Sequence, residues 1–234
     1  MNKERKTARI YVANSIYDMP LKREYHLTTD EVILQVGASL TDQRLYEGIL
    51  TDCMGDNISN RNQQFCELTG LYWIWKYAKE DYIGLVHYRR HFILPHDWVQ
   101  RMEDNELNVI LPVPLYVAPS IAENYKSRHI ASDWDFLMEY FKVYLPEEYE
   151  SVKDFFDGNL YSPCNMLGAR RETLDQLCTW LFPILDAVVA NGGTKEDNYM
   201  NRYPGFISER LITYFFEGRR DGQGVVYANK NFLE

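Results

Sequence analysis

The sequence predicts a three-layer α/β domain, and three observations carry the expectation. Short runs rich in β-branched and aromatic residues alternate with stretches of helical periodicity, the pattern of strands covered by helices. The run Tyr82-Ile83-Gly84-Leu85-Val86 is nearly all apolar, as a strand buried on both faces should be. The chain of 234 residues has no Pro/Gly/Ser-rich linker, internal repeat or low-complexity run, so a single domain over 1–234 is expected, preceded by a basic tail over about 1–7.

Residues 9–13 read as the first strand, and 32–36 as the second, ended by Gly37. Residues 42–62 read mostly as loop, long for a compact domain, and such loops tend to carry function. Asn62 reads as the cap of the next helix, whose apolar stripe is Phe65, Leu68, Leu71, Tyr72 and Trp75. That stripe is a core face rather than a cofactor surface. Residues 108–111 read as a strand stopped by Pro112 and Pro114, and two or three helices are expected over 119–156. Residues 160–167 read as another strand, leading into a helix over 171–189 that is broken at Asn191-Gly192-Gly193. A helix over 208–217 and a short last strand at 225–227 complete the pattern.

Net charge is −9, which argues against a nucleic-acid binder, because neutralising a phosphate backbone needs a basic face. A nucleotide needs only a local basic pocket. Aromatic residues make up 15% of the chain, an excess that suits stacking against the C–H faces of sugars and equally suits a tyrosine-rich core. Cys53, Cys66, Cys164 and Cys178 form no C-x-x-C pair and no metal-type spacing with histidine. Cys66 and Cys178 read as small buried hydrophobes, and a reducing cytoplasm is the compartment expected. The basic amino terminus lacks the apolar run of a signal peptide, and no stretch reads as a membrane span.

The apolar run 82–86 ends abruptly in His87, Tyr88, Arg89, Arg90 and His91. In open α/β sheets ligands bind outside the carboxyl ends of the strands, and a guanidinium fork matches phosphate oxygens. The residue types leave two readings open: a phosphate site at the largest polar cleft, or arginines paired with nearby acids. Alternation along an extended segment would turn His87 and Arg89 one way and Tyr88 and Arg90 the other.

Longer motifs surround this run. They are Gly55-Asp56-Asn57-Ile58-Ser59, Cys66-Glu67-Leu68-Thr69-Gly70-Leu71-Tyr72-Trp73, Tyr82 through Arg90, Asn165-Met166, Trp180-Leu181-Phe182-Pro183-Ile184-Leu185 and Gly205-Phe206-Ile207-Ser208-Glu209-Arg210-Leu211. In these the chain resembles the bacterial capsular and exopolysaccharide biosynthesis proteins of the DUF4422 type, regarded as glycosyltransferases. The family pattern has a histidine soon after the first strand. Val12-Ala13-Asn14-Ser15 has none, so no role for it carries over. The resemblance implies a Rossmann-related, glycosyltransferase A-like fold and a nucleotide-diphosphate donor, a UDP-sugar of the galactose type. It also implies a lipid-linked saccharide acceptor, met by a cytoplasmic enzyme in peripheral contact with the inner face of the membrane. A non-catalytic glycan- or nucleotide-binding module is the alternative. A phosphoesterase using His87 suffers from the lack of a carboxylate and histidine cluster.

Many enzymes of that fold carry a metal-binding D-x-D pair after a central strand. Asp133-Trp134-Asp135 matches as text, but with Ser132 it reads as a helix start, and no strand precedes it. His87-Tyr88-Arg89-Arg90 occupies the expected position instead. Arg89 and Arg90 are therefore the candidates to stabilise leaving-group charge with no metal required, while manganese or magnesium held by Asp52, Asp56 or Glu209 with His87 stays open. Glu209 is the candidate general base, expected at a helix start. Asp56, Asn57, His87, Tyr88 and Asn165 are the candidate donor-binding residues; Asp56 and Asn57 equally suit a turn beside Gly55. His91 and His96 carry no distinct signal.

Overall fold

The computed structural model describes residues 6–219 and 224–233. Residues 1–5 of the expected basic tail lie outside them. Lys6, which lies within them, pairs with Asp81 at 2.9 Å.

The strands are β1 (Ala8–Asn14), β2 (Glu31–Gln35), β3 (Leu50–Thr51), β4 (Tyr82–His87), β5 (Arg90–Phe92), β6 (Val109–Pro112), β7 (Leu115–Tyr116), β8 (Leu160–Tyr161), β9 (Leu167–Arg170), β10 (Val225–Ala228) and β11 (Lys230–Phe232). The helices are α1 (Asn62–Phe65), α2 (Leu68–Tyr77), α3 (Trp98–Asp104), α4 (Ile121–Arg128), α5 (Ala131–Tyr144), α6 (Pro146–Phe156), α7 (Arg171–Gly192) and α8 (Tyr203–Thr213). The main sheet runs β10-β6-β9-β4-β1-β2-β3, with β5 and β11 extending it beside β4. Neighbours along the path are parallel except at β9, which is antiparallel to both β4 and β6.

Period-two alternation along the central strands divides the core. Tyr11, Ala13, Ile83 and Leu85 face a large cluster under α2 and α4 to α8. Ile10, Val12, Tyr82 and Val86 face a smaller one closed by Trp98 and Met102 of α3. Helices on both faces of one sheet make the expected three layers, unequally thick. Gly70 of α2 lies where an added Cβ would fall 2.9 Å from Val36 Cγ1, so any side chain there would force Val36 or the helix to shift.

Several boundaries differ from expectation for local reasons. Residues 62–77 are two helices, not one, because Cys66 takes a positive φ of 49° that no helix continues through. Asn62 does not cap that helix. Its Nδ2 donates to Cys66 O at 2.7 Å and Thr69 Oγ1 at 3.0 Å, stapling the break. Ser132 does not cap α5 either: the helix starts one residue earlier, at Ala131. Asp133 in its first turn is buried against Lys195 at 2.9 Å, and Asp135 pairs with Lys126 at 2.8 Å. The 208–217 helix starts earlier, at Tyr203 with Pro204 behind it, and continues into a π turn over Tyr214–Gly218. Strands β5 and β11 carry too few apolar residues to read as strands. By length and composition α7 could cross a membrane, which the sequence reading did not anticipate. Its buried residues, including Leu177, Cys178, Leu181 and Leu185, belong to the large core cluster.

The loop 37–61 is ordered around one carboxylate. Asp52 is fully buried; it accepts from Gly37 N at 2.9 Å, Ala38 N at 3.1 Å and Thr69 Oγ1 at 2.6 Å, and from Ser59 Oγ by a very short bond. It is a structural knot, not a metal ligand in waiting. Asp52→Ala strands these donors. Each buried donor left unpaired costs roughly 1–3 kcal/mol, so unfolding in urea should show a loss of at least about 3 kcal/mol. A loss below about 1 kcal/mol would mean that the loop holds itself.

Candidate active site

At the carboxyl end of β4 a cavity of about 380 Å³ is lined by His87, Arg89, Arg90, Asn165 and Glu209, together with Glu67, Arg202, Phe206 and Lys230. The topology assembles it. Because β9 is antiparallel to β4, with Leu167 opposite Leu85, the Cys164-Asn165 turn ahead of β9 meets His87. His87 has the parity of Ile83 and Leu85, so it faces α8. Tyr88 turns to the other face and is buried in the smaller cluster. The expected alternation stops there. Tyr88 and Arg89 form a tight turn pairing His87 with Arg90, so both arginines line the cavity. Leu233 N donates to Arg89 O at 3.0 Å and Tyr88 N to Ala13 O at 3.0 Å, fixing the turn from both sides.

His91 anchors the turn from behind. Its Nδ1 lies 2.7 Å from Glu31 Oε1 and its Nε2 lies 3.1 Å from Tyr88 O, with both side chains buried. A carbonyl only accepts, so Nε2 carries a proton.

The electrostatics divide the cavity. Burial, then the Arg90 and Arg89 guanidinium groups, hold the His87 imidazole down at about 3, so it is neutral. Arg89 N donates to His87 Nδ1 at 3.4 Å, which leaves the ring proton on Nε2. Burial lowers the Lys230 ammonium from its usual range, and Arg90 adds to the shift against Cys164 and Glu209. Burial also pushes the Glu209 carboxyl up to about 7, against the pull of Arg210 and the Cys164 N–H. That N–H donates to Glu209 Oε1 at 2.7 Å. Glu209 is not at a helix start, as expected, but at the seventh position of α8, so the macrodipole does not explain it. Half-buried Asp18, after β1, is pushed up by burial against Arg89 and Arg202.

The backbone is strained here. Among the described non-glycine residues, positive φ occurs at Cys66 (49°), Cys164 (79°), Asn165 (50°) and Glu106 (53°), and the first three line the cavity. Such conformations cost about 1–3 kcal/mol each and cluster at ligand sites. Asn165 spends its polar atoms on protein. Its Nδ2 donates to Glu67 Oε1 at 2.9 Å and to Gly205 O at 3.1 Å, and its Oδ1 accepts from Ser208 Oγ at 2.5 Å.

Asp56 and Asn57 are not brought to this cavity. Asp56 accepts from Tyr72 Oη and lies 3.9 Å from Lys76, near the far end of α2. Glu67 precedes the first residue of that helix, about 15 Å away along its axis. Asn57 Nδ2 donates to Cys53 O and Gly55 O, the turn-making role. Sequence reasoning assigned no role to Glu67, Arg202, Lys230 or Asp18. Arg202 and Lys230 look like surface charges in the text, and nothing in Cys66-Glu67 announces a helix break. Cys66 is not a plain core thiol, since Arg202 Nε lies 2.9 Å from its sulfur. A larger cavity of about 1240 Å³ opens at the amino ends of β1 and β2, bordered by Arg9, Asp30, Lys79, Glu80 and Trp98. The arginines therefore do not line the largest cleft.

No D-x-D pair that could hold a divalent cation lines this cavity among the described residues. Among the described residues no three His, Cys, Asp or Glu side chains converge as a metal-holding group, and the D-x-D carboxylates are tied to lysines.

The fold is that of the glycosyltransferase A-like class. The chain superposes on a bifunctional glycosyltransferase, WbbM, in its apo form, with a TM-score of 0.82 and 24% identity over 97% of this chain and 45% of that one. It thus spans less than half of that chain. Residues 16–220 match the family described as a domain of unknown function (DUF4422), and the chain belongs to that family. The mannosyltransferase Ktr4p from S. cerevisiae with GDP aligns over 89% of this chain and 67% of its own at 12% identity. The TM-score of that alignment is 0.33. No curated protein matches the chain.

A cavity built from Arg89, Arg90, Arg202 and Lys230 should take a diphosphate. Calorimetry with inorganic pyrophosphate should show binding that weakens at least about tenfold in Arg89→Ala or Arg90→Ala, since a hydrogen bond to a charged group is worth roughly 1.5–3 kcal/mol. Arg→Lys should restore little, because a point charge cannot reproduce the fork. Unchanged affinity in both alanine variants would exclude these arginines from the anion site.

Proposed function

We propose that this chain is a glycosyltransferase that moves a sugar from a nucleoside-diphosphate donor to a growing surface polysaccharide. The observation that carries the reading is a cationic cavity with one proton-poised carboxylate at the strand carboxyl ends of a glycosyltransferase A-like fold. The diphosphate lies against Arg89, Arg90 and Lys230. Glu209 takes the proton of the acceptor hydroxyl as that oxygen bonds to the anomeric carbon. The bond from that carbon to the diphosphate breaks, and its electron pair leaves on the phosphate oxygen, where the guanidinium groups stabilise it. A UDP-sugar of the galactose type and a lipid-linked acceptor met at the inner membrane face, in the cytoplasm, complete the proposal. Both come from the family resemblance. Incubation with a panel of nucleotide-sugars should release nucleoside diphosphate. Binding without release would favour the non-catalytic module, and release of inorganic phosphate a phosphoesterase.

Two measurements test the chemistry. A base must be deprotonated to act, so kcat/KM should rise with pH and reach half its plateau near the Glu209 value of about 7. Glu209→Gln should remove that limb and lower the rate roughly 10²–10⁴-fold. A rate that stays constant from about pH 5 to about pH 9 would assign the proton elsewhere. The cationic groups standing where the class carries D-x-D support a reaction that needs no divalent ion. Turnover should persist in excess chelator. Activity lost to chelator and restored by manganese or magnesium would overturn the cationic clamp.

A further inference from the structure

The cavity holds a second carboxylate that this chemistry does not use. Glu67 lines it together with four cationic side chains, on the side where α2 and α8 meet the Cys164-Asn165 turn. A carboxylate repels phosphate, so the diphosphate and Glu67 must occupy different parts of the cavity. What lies beside the diphosphate in a nucleotide-sugar is a neutral polyol. Its hydroxyl groups are donors, and an ionised carboxylate accepts from them strongly.

Much of the local structure is spent on aiming Glu67. Cys66, at positive φ, ends α1, and α2 starts two residues later at Leu68, so Glu67 stands in the break instead of on a continuous helix face. Asn62 staples that break through Cys66 O and Thr69 Oγ1. Beside it Asn165, also at positive φ and nearly fully buried, donates to Glu67 Oε1 at 2.9 Å, and Ser208 Oγ in turn holds Asn165 Oδ1 at 2.5 Å. Asn165 is a positioning residue, and Glu67 is the group it positions.

We infer that Glu67 reads the sugar of the donor: its carboxylate accepts hydrogen bonds from hydroxyls of the hexose attached to the nucleoside diphosphate, and Asn165 holds it in that pose. The inference rests on the donor reading above. The competing role for Glu67 is that of a counter-ion to the cavity's arginines. The two roles differ in what they do to a ligand without a sugar. Removing a counter-ion changes the affinity for every diphosphate by one common factor. Removing a sugar contact weakens only the ligand that carries the sugar.

Calorimetry on the full chain settles the choice, with UDP, UDP-galactose, UDP-glucose, GDP and GDP-mannose as probes. Glu67→Gln keeps the acceptor for Asn165 and removes the charge. It should weaken the best-bound nucleotide-sugar at least about tenfold, as expected for the loss of a charge-assisted hydrogen bond. The affinity for the matching free diphosphate should stay unchanged or rise. Asn165→Ala should reproduce the selective loss more weakly, with circular dichroism melts reporting that each variant is folded. Equal changes for sugar-bearing and free diphosphate, or no change in either, would overturn the assignment. A wild-type chain that binds none of the five probes and no pyrophosphate would overturn the donor reading itself. Wild-type binding with an indifferent Glu67→Gln would overturn only the role of Glu67.

Discussion

One reversed strand makes the site possible. β9 enters the sheet between two parallel strands and runs against both, so its leading turn is delivered to the end of the sheet where β4 finishes. Without that reversal Cys164 and Asn165 would lie at the far edge. Glu209 would lose the N–H that holds its Oε1, and Glu67 would lose its brace. The reversal also feeds α7 directly from β9 back across the large core cluster, where it forms a floor for α2, α5 and α8. The helix that carries Glu209 and the turn that orients it are therefore fixed by the same core.

Charge separation follows from that geometry. The β4–β5 turn and β11 contribute Arg89, Arg90 and Lys230 from one side, while α8 and the α1–α2 break contribute Glu209 and Glu67 from the other, with Arg202 beside the break. Burial acts on both sets in opposite senses, raising Glu209 and lowering Lys230 and His87. A neutral His87 between two arginines costs the site less repulsion than an imidazolium would, and it leaves Nε2 with a proton to donate. The chain's net charge of −9 contributes nothing to anion binding, so the local field is made entirely by which side chains the fold gathers.

Much of this was legible in the sequence because it rests on period and adjacency. The doubly buried β4 and the cationic burst after it are contiguous, and alternation correctly turned His87 and Tyr88 to opposite faces. Alternation failed at Arg90 because a tight turn, not an extended strand, follows His87. Glu67 was hidden by a helix break made at a cysteine, where glycine would have been the readable signal. Lys230 was hidden because β11 is too short and polar to read as a strand, and its place is set by pairing with β5. Asp56 and Asn57 drew attention as polar residues beside a glycine; the Asn57 side chain serves the turn itself, and that of Asp56 ties the turn to Tyr72 of α2.

The residue behind Glu209 explains how a half-buried carboxylate is kept usable. Arg210 has the text of a surface charge, yet it is 2% exposed. Its guanidinium lies 4.5 Å from the ring centre of Tyr161 and 5.2 Å from that of Tyr125, and Nη1 donates to Phe206 O at 2.7 Å. Aromatic faces stabilise a cation without supplying an anion that would neutralise it. The charge thus stays available to Glu209, whose Oε2 is 3.7 Å from Nη1, too long for a tight salt bridge. A closer pair would hold Glu209 ionised and make it a weak base. With no cation behind it, burial alone would hold it protonated at neutral pH. The intermediate separation, with burial outweighing the arginine, leaves the carboxyl near neutrality, where a group can both take a proton and give it up.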